Sequence, residues 1–293
     1  RNSTKGEQAS FCVFCAITYN EELHIRRCIE NVNLYAKKVY VIDSYSTDRT
    51  IAIAESLGAT VIQNKWPGNQ AEQFNWAIEN IEIDTEWILR LDADEYLLPE
   101  LIEELKAKVS ALDKGITGIT FKRRHIFLGR WMKHGTYPVM ILRMFRKNKA
   151  KCELRLVDEH IELLEGKSIT FKNDFVDHNL NNLSWWAQKH IGYAVREAAE
   201  LLDFEYMITG KNSKICNLND NTLKKHKLML KYATKTLFWR SFAYFIYRYI
   251  FKLGFLEGKE GFLWHFMQGW WYRTLVDAKV FEIKKACGNN PQK

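Results

Sequence analysis

Proline and glycine are scarce, four and 15 in 293 residues, while 47% of the chain is hydrophobic. That composition excludes collagen-like, low-complexity and disordered classes and leaves a globular protein able to bury a sizeable core. Length alone allows one large domain or two smaller ones. Apolar runs of bilayer length are missing too: residues 238–255 are the nearest approach, and they carry Arg240, Arg248 and Lys252. Neither G-x-G-x-x-G after the first strand nor G-x-x-x-x-G-K-[ST] anywhere occurs, which argues against dinucleotide and P-loop chemistry. The first ten residues lack the apolar stretch of a signal peptide and read as a disordered lead-in. The six cysteines are scattered. Cys12 and Cys15 form a C-x-x-C inside the apolar run Phe11 to Ile17, with no second pair at zinc spacing, and read as reduced core residues of a cytoplasmic protein.

Charge is present but unevenly placed. The net charge is +8, yet residues 81–104 are acidic while 122–155 and 224–252 are basic. The last stretch is also rich in aromatics, so an anionic membrane surface competes with nucleic acid as a partner, and no nucleic-acid recognition motif occurs.

Hydrophobic periodicity gives an alternation of strands and helices. Phe11 to Ile17, Lys38 to Ile42, Thr60 to Gln63 and Trp87 to Leu91 read as strands. Leu23 to Val32, capped by Thr18 or Asn20, Thr50 to Leu57, Ala71 to Ile81 and Pro99 to Leu112 read as helices. This rhythm predicts an α/β class, with a mostly parallel sheet and helices on both faces. Further on, Gly118 to Phe121, Pro138 to Phe145, Ile169 to Phe171 and Phe175 to Asp177 read as strands, and Arg123 to Tyr137 as irregular and basic. From Leu183 the pattern changes to long helices, Trp185 to Phe204 and Asn221 to Phe255, so a first domain over 11–180 and a helical region over 181–293 are expected. In the second of those helices the spacing of Arg240, Arg248 and Lys252 places them on one face, predicting an interfacial amphipathic helix with its cations outward.

The strand Trp87 to Leu91 ends in Asp92-Ala93-Asp94-Glu95. In extended chain Asp92 and Asp94 point to one side, where two carboxylates can hold a divalent cation while substrate phosphates complete its shell; a solvated turn is the alternative. Val157-Asp158-Glu159-His160 forms a second acidic cluster about 65 residues on.

Three elements together resemble the family 2 glycosyltransferases with a GT-A (Rossmann-like) fold: Thr18-Tyr19-Asn20-Glu21, Asp43-Ser44-Tyr45-Ser46-Thr47-Asp48-Arg49-Thr50, and Asp92-Ala93-Asp94-Glu95. The middle one is close to that family's D-S-x-S-x-D-x-T. Phe127 to Met132, Tyr137-Pro138, Arg143-Met144, Val157 to His160 and Gly254 to Gly261 look like the lipopolysaccharide core branch, typified by β-1,4-glucosyltransferases acting on inner-core heptose. The chain departs from that branch in having Val157-Asp158-Glu159-His160 where V-H-E-S is usual, and Glu72 and Phe74 where Lys and Arg are usual.

The resemblance implies a metal-dependent, inverting transfer of a sugar, read as glucose from UDP-glucose, to a lipid-linked saccharide. It places the protein at the inner face of a bacterial cytoplasmic membrane, in surface-polysaccharide synthesis. It assigns the base to Glu159, with Asp158 in reserve. Thr18, Asn20, Glu21, Asp43, Ser46, Asp92, Ala93 and Arg143 fall to the nucleotide-sugar. Asp94, Asp92 and His178 fall to a Mn2+ or Mg2+ ion. A reading from a different class is a non-catalytic nucleotide-sugar or glycan-binding module that recruits partners to a membrane.

Overall fold

The structure, a computed structural model, describes residues 11–154, 160–206, 231–232 and 234–287, with side chains except at 11–17 and 204. Within these residues one compact unit comprises 11–125, 139–154 and 160–180, and the other 126–138 and 181 onward.

The first unit begins as the alternation predicts. β1 (Phe11–Thr18), α1 (Ile25–Val32), β2 (Lys38–Asp43), α2 (Thr50–Ser56), β3 (Thr60–Gln63), α3 (Gln70–Asn80) and β4 (Trp87–Leu91) follow in turn. They give four adjacent parallel strands in the order β3-β2-β1-β4. Period-two alternation sends Val39 and Val41 to one face, under α1 and α2. Tyr40 and Ile42 go to the other, under α3, so the strands are apolar on both sides.

After β4 the connections change. A short β5 (Glu95–Leu97) and α4 (Pro99–Lys108) lead to β6 (Ile116–Phe127), β8 (Val139–Arg146) and β11 (Lys167–His178), and the sheet continues β4-β8-β6-β11-β5. The β4–β8, β8–β6 and β11–β5 pairs are antiparallel. The expected mostly parallel sheet is therefore a mixed one. Among the described residues between β6 and β11 no helix is available for the long crossover that a parallel pair requires. Two short strands, β9 (Ala150–Cys152) and β10 (Ile161–Leu163), form a separate antiparallel pair.

Two expectations were too short. β6 runs on through the basic residues 122–125, and β11 is one strand where two were expected. The reason is pairing: Lys122 and Arg124 meet Asp174 at 3.7 and 3.2 Å, and Arg123 and His125 meet Asp177 at 3.5 and 3.1 Å. Acids on β11 thus match the bases on neighbouring β6.

In the second unit, β7 (Arg130–Trp131) folds back on Ile126 and Phe127. α5 (Leu183–Tyr206) packs its Ala194, Ala198, Leu201 and Leu202 against Tyr272, Val276 and Val280 of a terminal helix, Tyr272–Ala286. Between them lie α6 (Trp239–Ile246) and α7 (Gly258–Trp264); the terminal helix is α8. Each of α6 and α7 runs into a π-helical turn, at Tyr247–Phe251 and His265–Trp271.

The continuous helix expected over Asn221 to Phe255 is instead interrupted before Trp239, where Phe238 has φ 67°, and stops at Lys252, where Leu253 takes a left-handed conformation (φ 59°). Its beginning, 221–230, lies outside the described residues. The outward cationic face is also corrected. Arg240 is 6% exposed and Arg248 1%. Arg240 Nε donates to Asp277 Oδ1 at 2.7 Å, and the Phe238 amide donates to Asp277 Oδ2 at 2.7 Å. Periodicity put the arginines on one face but could not say that α8 supplies a buried carboxylate to receive it.

Asp277→Ala should strand the Arg240 charge in the interior and cost about 3–5 kcal/mol. Thermal unfolding is expected to drop by about 10 °C. A change under about 2 °C would contradict this placement.

Candidate active site

The carboxyl ends of the parallel strands place the acid- and hydroxyl-bearing loops side by side, since Thr18 pairs with Asp43 and β4 lies on the other flank of β1. This is the edge at which open α/β sheets bind ligands.

Asp43 is fully buried. Its carboxylate accepts from Thr18 Oγ1 at 3.1 Å, from the Ser46 amide at 2.7 Å and from Ser46 Oγ at 2.5 Å. Ser46 Oγ in turn accepts the Asn20 amide at 2.9 Å, and Asn20 Oδ1 accepts the Thr47 amide at 2.9 Å. Asn20 therefore braces the second loop rather than capping α1, and does so at φ 58°, a conformation asparagine tolerates. Asp48 repeats the device, accepting from the Thr50 amide and hydroxyl at 2.9 and 2.5 Å and from the Glu22 amide at 3.1 Å. Burial works to raise the Asp48 carboxyl, but these donors outweigh it and hold it below its ordinary value. The D-S-x-S-x-D-x-T pattern is thus a pair of carboxylate pins around an exposed hinge, where Tyr45 stands 55% exposed at φ 62°.

Glu21 is tied in through its neighbours. Its amide donates to Thr50 Oγ1 at 2.8 Å, and its carboxylate meets His24 Nδ1 at 2.6 Å. The Leu180 amide donates to His24 Nε2 at 2.8 Å, so the imidazole proton sits on Nδ1 and points at Glu21. The loop after β11 is thereby fastened to the loop after β1.

At the end of β4, Asp92 and Asp94 are half-buried while Ala93 is 6% exposed and packs into the core. A donor molecule could meet Ala93 only through its backbone. Arg143 lies 7% exposed beneath the acids, donating from one guanidinium nitrogen to Asp92 Oδ2 at 3.2 Å and to Glu95 Oε1. Glu95 Oε2 accepts the Asp92 amide at 3.0 Å, closing a ring that fixes the loop. Arg90 stands 3.8 Å from Asp92 Oδ1. Across the β11–β5 ladder Asp177 is directly opposite Glu95.

Burial pushes Glu95 up to about 8, Arg143 opposing and Asp92 and Asp177 reinforcing. For Asp92, burial is outweighed by Arg143 and Arg90, and its carboxyl stays below the ordinary range. Asp177 is likewise held low, His125 and Arg123 overcoming its burial. The environment therefore keeps the outward-facing Asp92 ionised and places the shared proton on the interior Glu95.

Asp94 Oδ2 accepts from Asn179 Nδ2 at 2.9 Å, and its backbone carbonyl receives the His178 amide at 3.0 Å and Arg27 at 3.2 Å. Arg27 also donates to the His178 carbonyl at 2.5 Å and to His178 Nδ1 at 3.2 Å, with Tyr96 stacked 4.9 Å away. His178, which the resemblance assigns to the metal, is thus held against Asp94 through its own amide, with its Nδ1 at the Arg27 guanidinium. Burial and then Arg27 also lower the His178 pKa, keeping it neutral.

The model of glycosyl transferase family 2 matches residues 14–162, half of the chain, and spans the loops after β1, β2 and β4. The chain belongs to glycosyl transferase family 2. An uncharacterized glycosyltransferase of Rickettsia bellii is 26% identical over 285 residues, covering 92% of this transferase and 86% of that protein. One from Rickettsia felis is 27% identical over 257 residues, covering 84% and 81%. Among solved structures, the mannosyltransferase PcManGT from Pyrobaculum calidifontis, in complex with GDP-Man and Mn2+, superposes with a TM-score of 0.55 at 15% identity. It covers 94% of this chain and 87% of its own, a likeness of GT-A-like fold.

Asp94, with Asp92 beside it, offers the transferase hard oxygen donors suited to Mg2+ or Mn2+. Among the described residues no three His, Cys, Asp or Glu side chains are grouped to hold a metal. Arg146, at the end of β8, is structural: it donates to the Ile116 and Leu112 carbonyls at 2.8 and 3.2 Å and pairs with Glu86. Glu159 and Asp158 lie outside the described residues. Arg27, Asn179 and Asp177 were not anticipated. They reach the site only through pairing of β11 with β5 and packing of α1, for which local sequence carries no signal.

Proposed function

We propose that this transferase moves a hexose, read as glucose from UDP-glucose, to a lipid-linked saccharide with inversion at the anomeric carbon. The observation that carries the reading is the juxtaposition of the doubly pinned Asp43–Thr50 loop with Asp92 and Asp94 at one sheet edge. The exposed rings of Tyr19 and Tyr45 stand on those loops and offer faces for the donor base. Buried Asp43 shapes that pocket through Thr18 and Ser46. Ser46, Asn20 and Glu21 hold the loop for the ribose and diphosphate. A divalent cation bound by Asp94 would offset charge on the leaving diphosphate. Arg143 keeps Asp92 aimed and ionised beside it.

The acceptor hydroxyl must lose a proton as it attacks, which calls for a carboxylate on the opposite side of the sugar from the diphosphate. Glu159 takes that role in the proposal, with Asp158 in reserve. Glu159→Gln should lower transfer by about a thousandfold while leaving UDP binding intact. Normal turnover by that variant, with loss in Asp158→Asn, would move the base to Asp158. Membership of a glycosyltransferase family weighs against the non-catalytic binding module, which needs no base at either position.

A further inference from the structure

Beside its apolar core, the C-terminal unit also buries charged groups and exposes aromatic rings. Arg240, Arg248, Glu257, His265 and Asp277 are each 6% exposed or less, while Trp239 and Phe251 are 71% and 72% exposed. Arg248 is bonded to Gln268 and lies over the Tyr244 and Trp264 rings at 5.3 and 5.8 Å; Glu257 is bonded to His134. Single exposed hydrophobes are ordinary, but a contiguous apolar surface wrapped around buried charge is the arrangement of protein facing lipid.

The surface is contiguous. Ring contacts run from Trp239 to Phe242 (6.3 Å), Trp270 (5.0 Å), Phe266 (5.8 Å), Phe262 (5.9 Å), Tyr249 (5.8 Å) and Phe255 (6.3 Å). Beside Tyr249, Phe255 and Phe262 opens a groove of about 530 Å³ that Lys259 also lines. Leu253, in a left-handed conformation that costs a leucine about 1–2 kcal/mol, ends the helix and brings Phe251 and Leu256 out on one turn.

We propose that this aromatic ridge seats the protein in the headgroup layer of an anionic membrane, independently of which donor and acceptor it uses. Charge complementarity selects the occupant. From 238 to 259 the sole acid is Glu257, which is buried, whereas Lys252 and Lys259 are exposed beside the ridge. No helix among the described residues is long and apolar enough to cross a membrane, so the ridge lies in the interface, where tryptophan and tyrosine partition favourably. The surface differs from the one periodicity indicated: the aromatics, not Arg240 and Arg248, face the lipid.

The test is flotation of the full chain with phosphatidylcholine vesicles containing about 30% phosphatidylglycerol. Trp239→Ser/Phe251→Ser alters the two most exposed rings, far from the donor loops in sequence, and Phe281→Ser, also exposed, serves as control. The wild type and control should float, and the double variant should partition at least about tenfold less, with thermal unfolding within about 2 °C. UDP release by soluble donor hydrolysis should be unchanged. Absence of wild-type binding, or equal binding by the double variant, overturns the proposal. So does a wild-type dimer in sedimentation velocity that the double variant abolishes, which would make the ridge a self-interface.

Discussion

Asp94→Ala is expected to lower sugar transfer by about a thousandfold or more, with kcat bearing the loss, because charge on the departing diphosphate would be left uncompensated. The fold should survive. Asp94 is half-buried, and its carboxylate meets Asn179 while the loop is held independently by its backbone carbonyl, Arg27 and the His178 amide. Steady-state UDP release with added Mn2+, alongside thermal unfolding, checks both statements. Asp94→Asn should be nearly as damaging, since it keeps the shape and removes the charge. Activity within a factor of about ten of wild type would remove Asp94 from the diphosphate.

Arg143→Leu is expected to destabilise the fold strongly. The guanidinium is the shared partner of Asp92 and Glu95, and Asp177 lies across the ladder from Glu95. Its removal leaves ionised Asp92 without its hydrogen-bonded cation and the protonated Glu95 carboxyl without that partner, at a cost of about 3–5 kcal/mol and about 10 °C in unfolding temperature. Adding Glu95→Leu should recover part of that loss, because replacing both partners of a buried hydrogen bond is far less damaging than orphaning one. Additive losses would show that the two do not act as a pair.

Glu95 alone makes a pH signature. Its folded pKa, about 8, lies above the ordinary 4.5, so the folded state holds a proton that the unfolded state has released across that interval. Stability is therefore present below 4.5 and lost as pH rises towards 8. Glu95→Gln should flatten this decline, and an unchanged pH profile would argue against a protonated Glu95.

The sequence made the donor edge legible because its strands are apolar on both faces and its loops carry acids and hydroxyls at fixed spacing. The chemistry of individual positions was less legible. Asp43 reads as a ligand contact, yet it spends its oxygens on Thr18 and Ser46. Arg143 reads as a phosphate contact, yet it is buried under Asp92. Both depend on partners distant in sequence. The basic run 122–125 looks irregular until Asp174 and Asp177 arrive from β11. In 238–255 the spacing predicts one cationic face, yet Arg240 and Arg248 are buried and Lys252, past a π-helical turn, is exposed, since a lone helix does not reveal the Asp277 that draws Arg240 inward.

Calorimetric titration of UDP-glucose into the purified protein, with and without Mn2+, is the most direct measurement of the donor site. Saturable binding that requires the metal, is lost in Asp94→Ala and is much weaker with GDP-mannose or dTDP-glucose is the expected result. Equal affinity in chelator, or binding of GDP-mannose in preference to UDP-glucose, would contradict it.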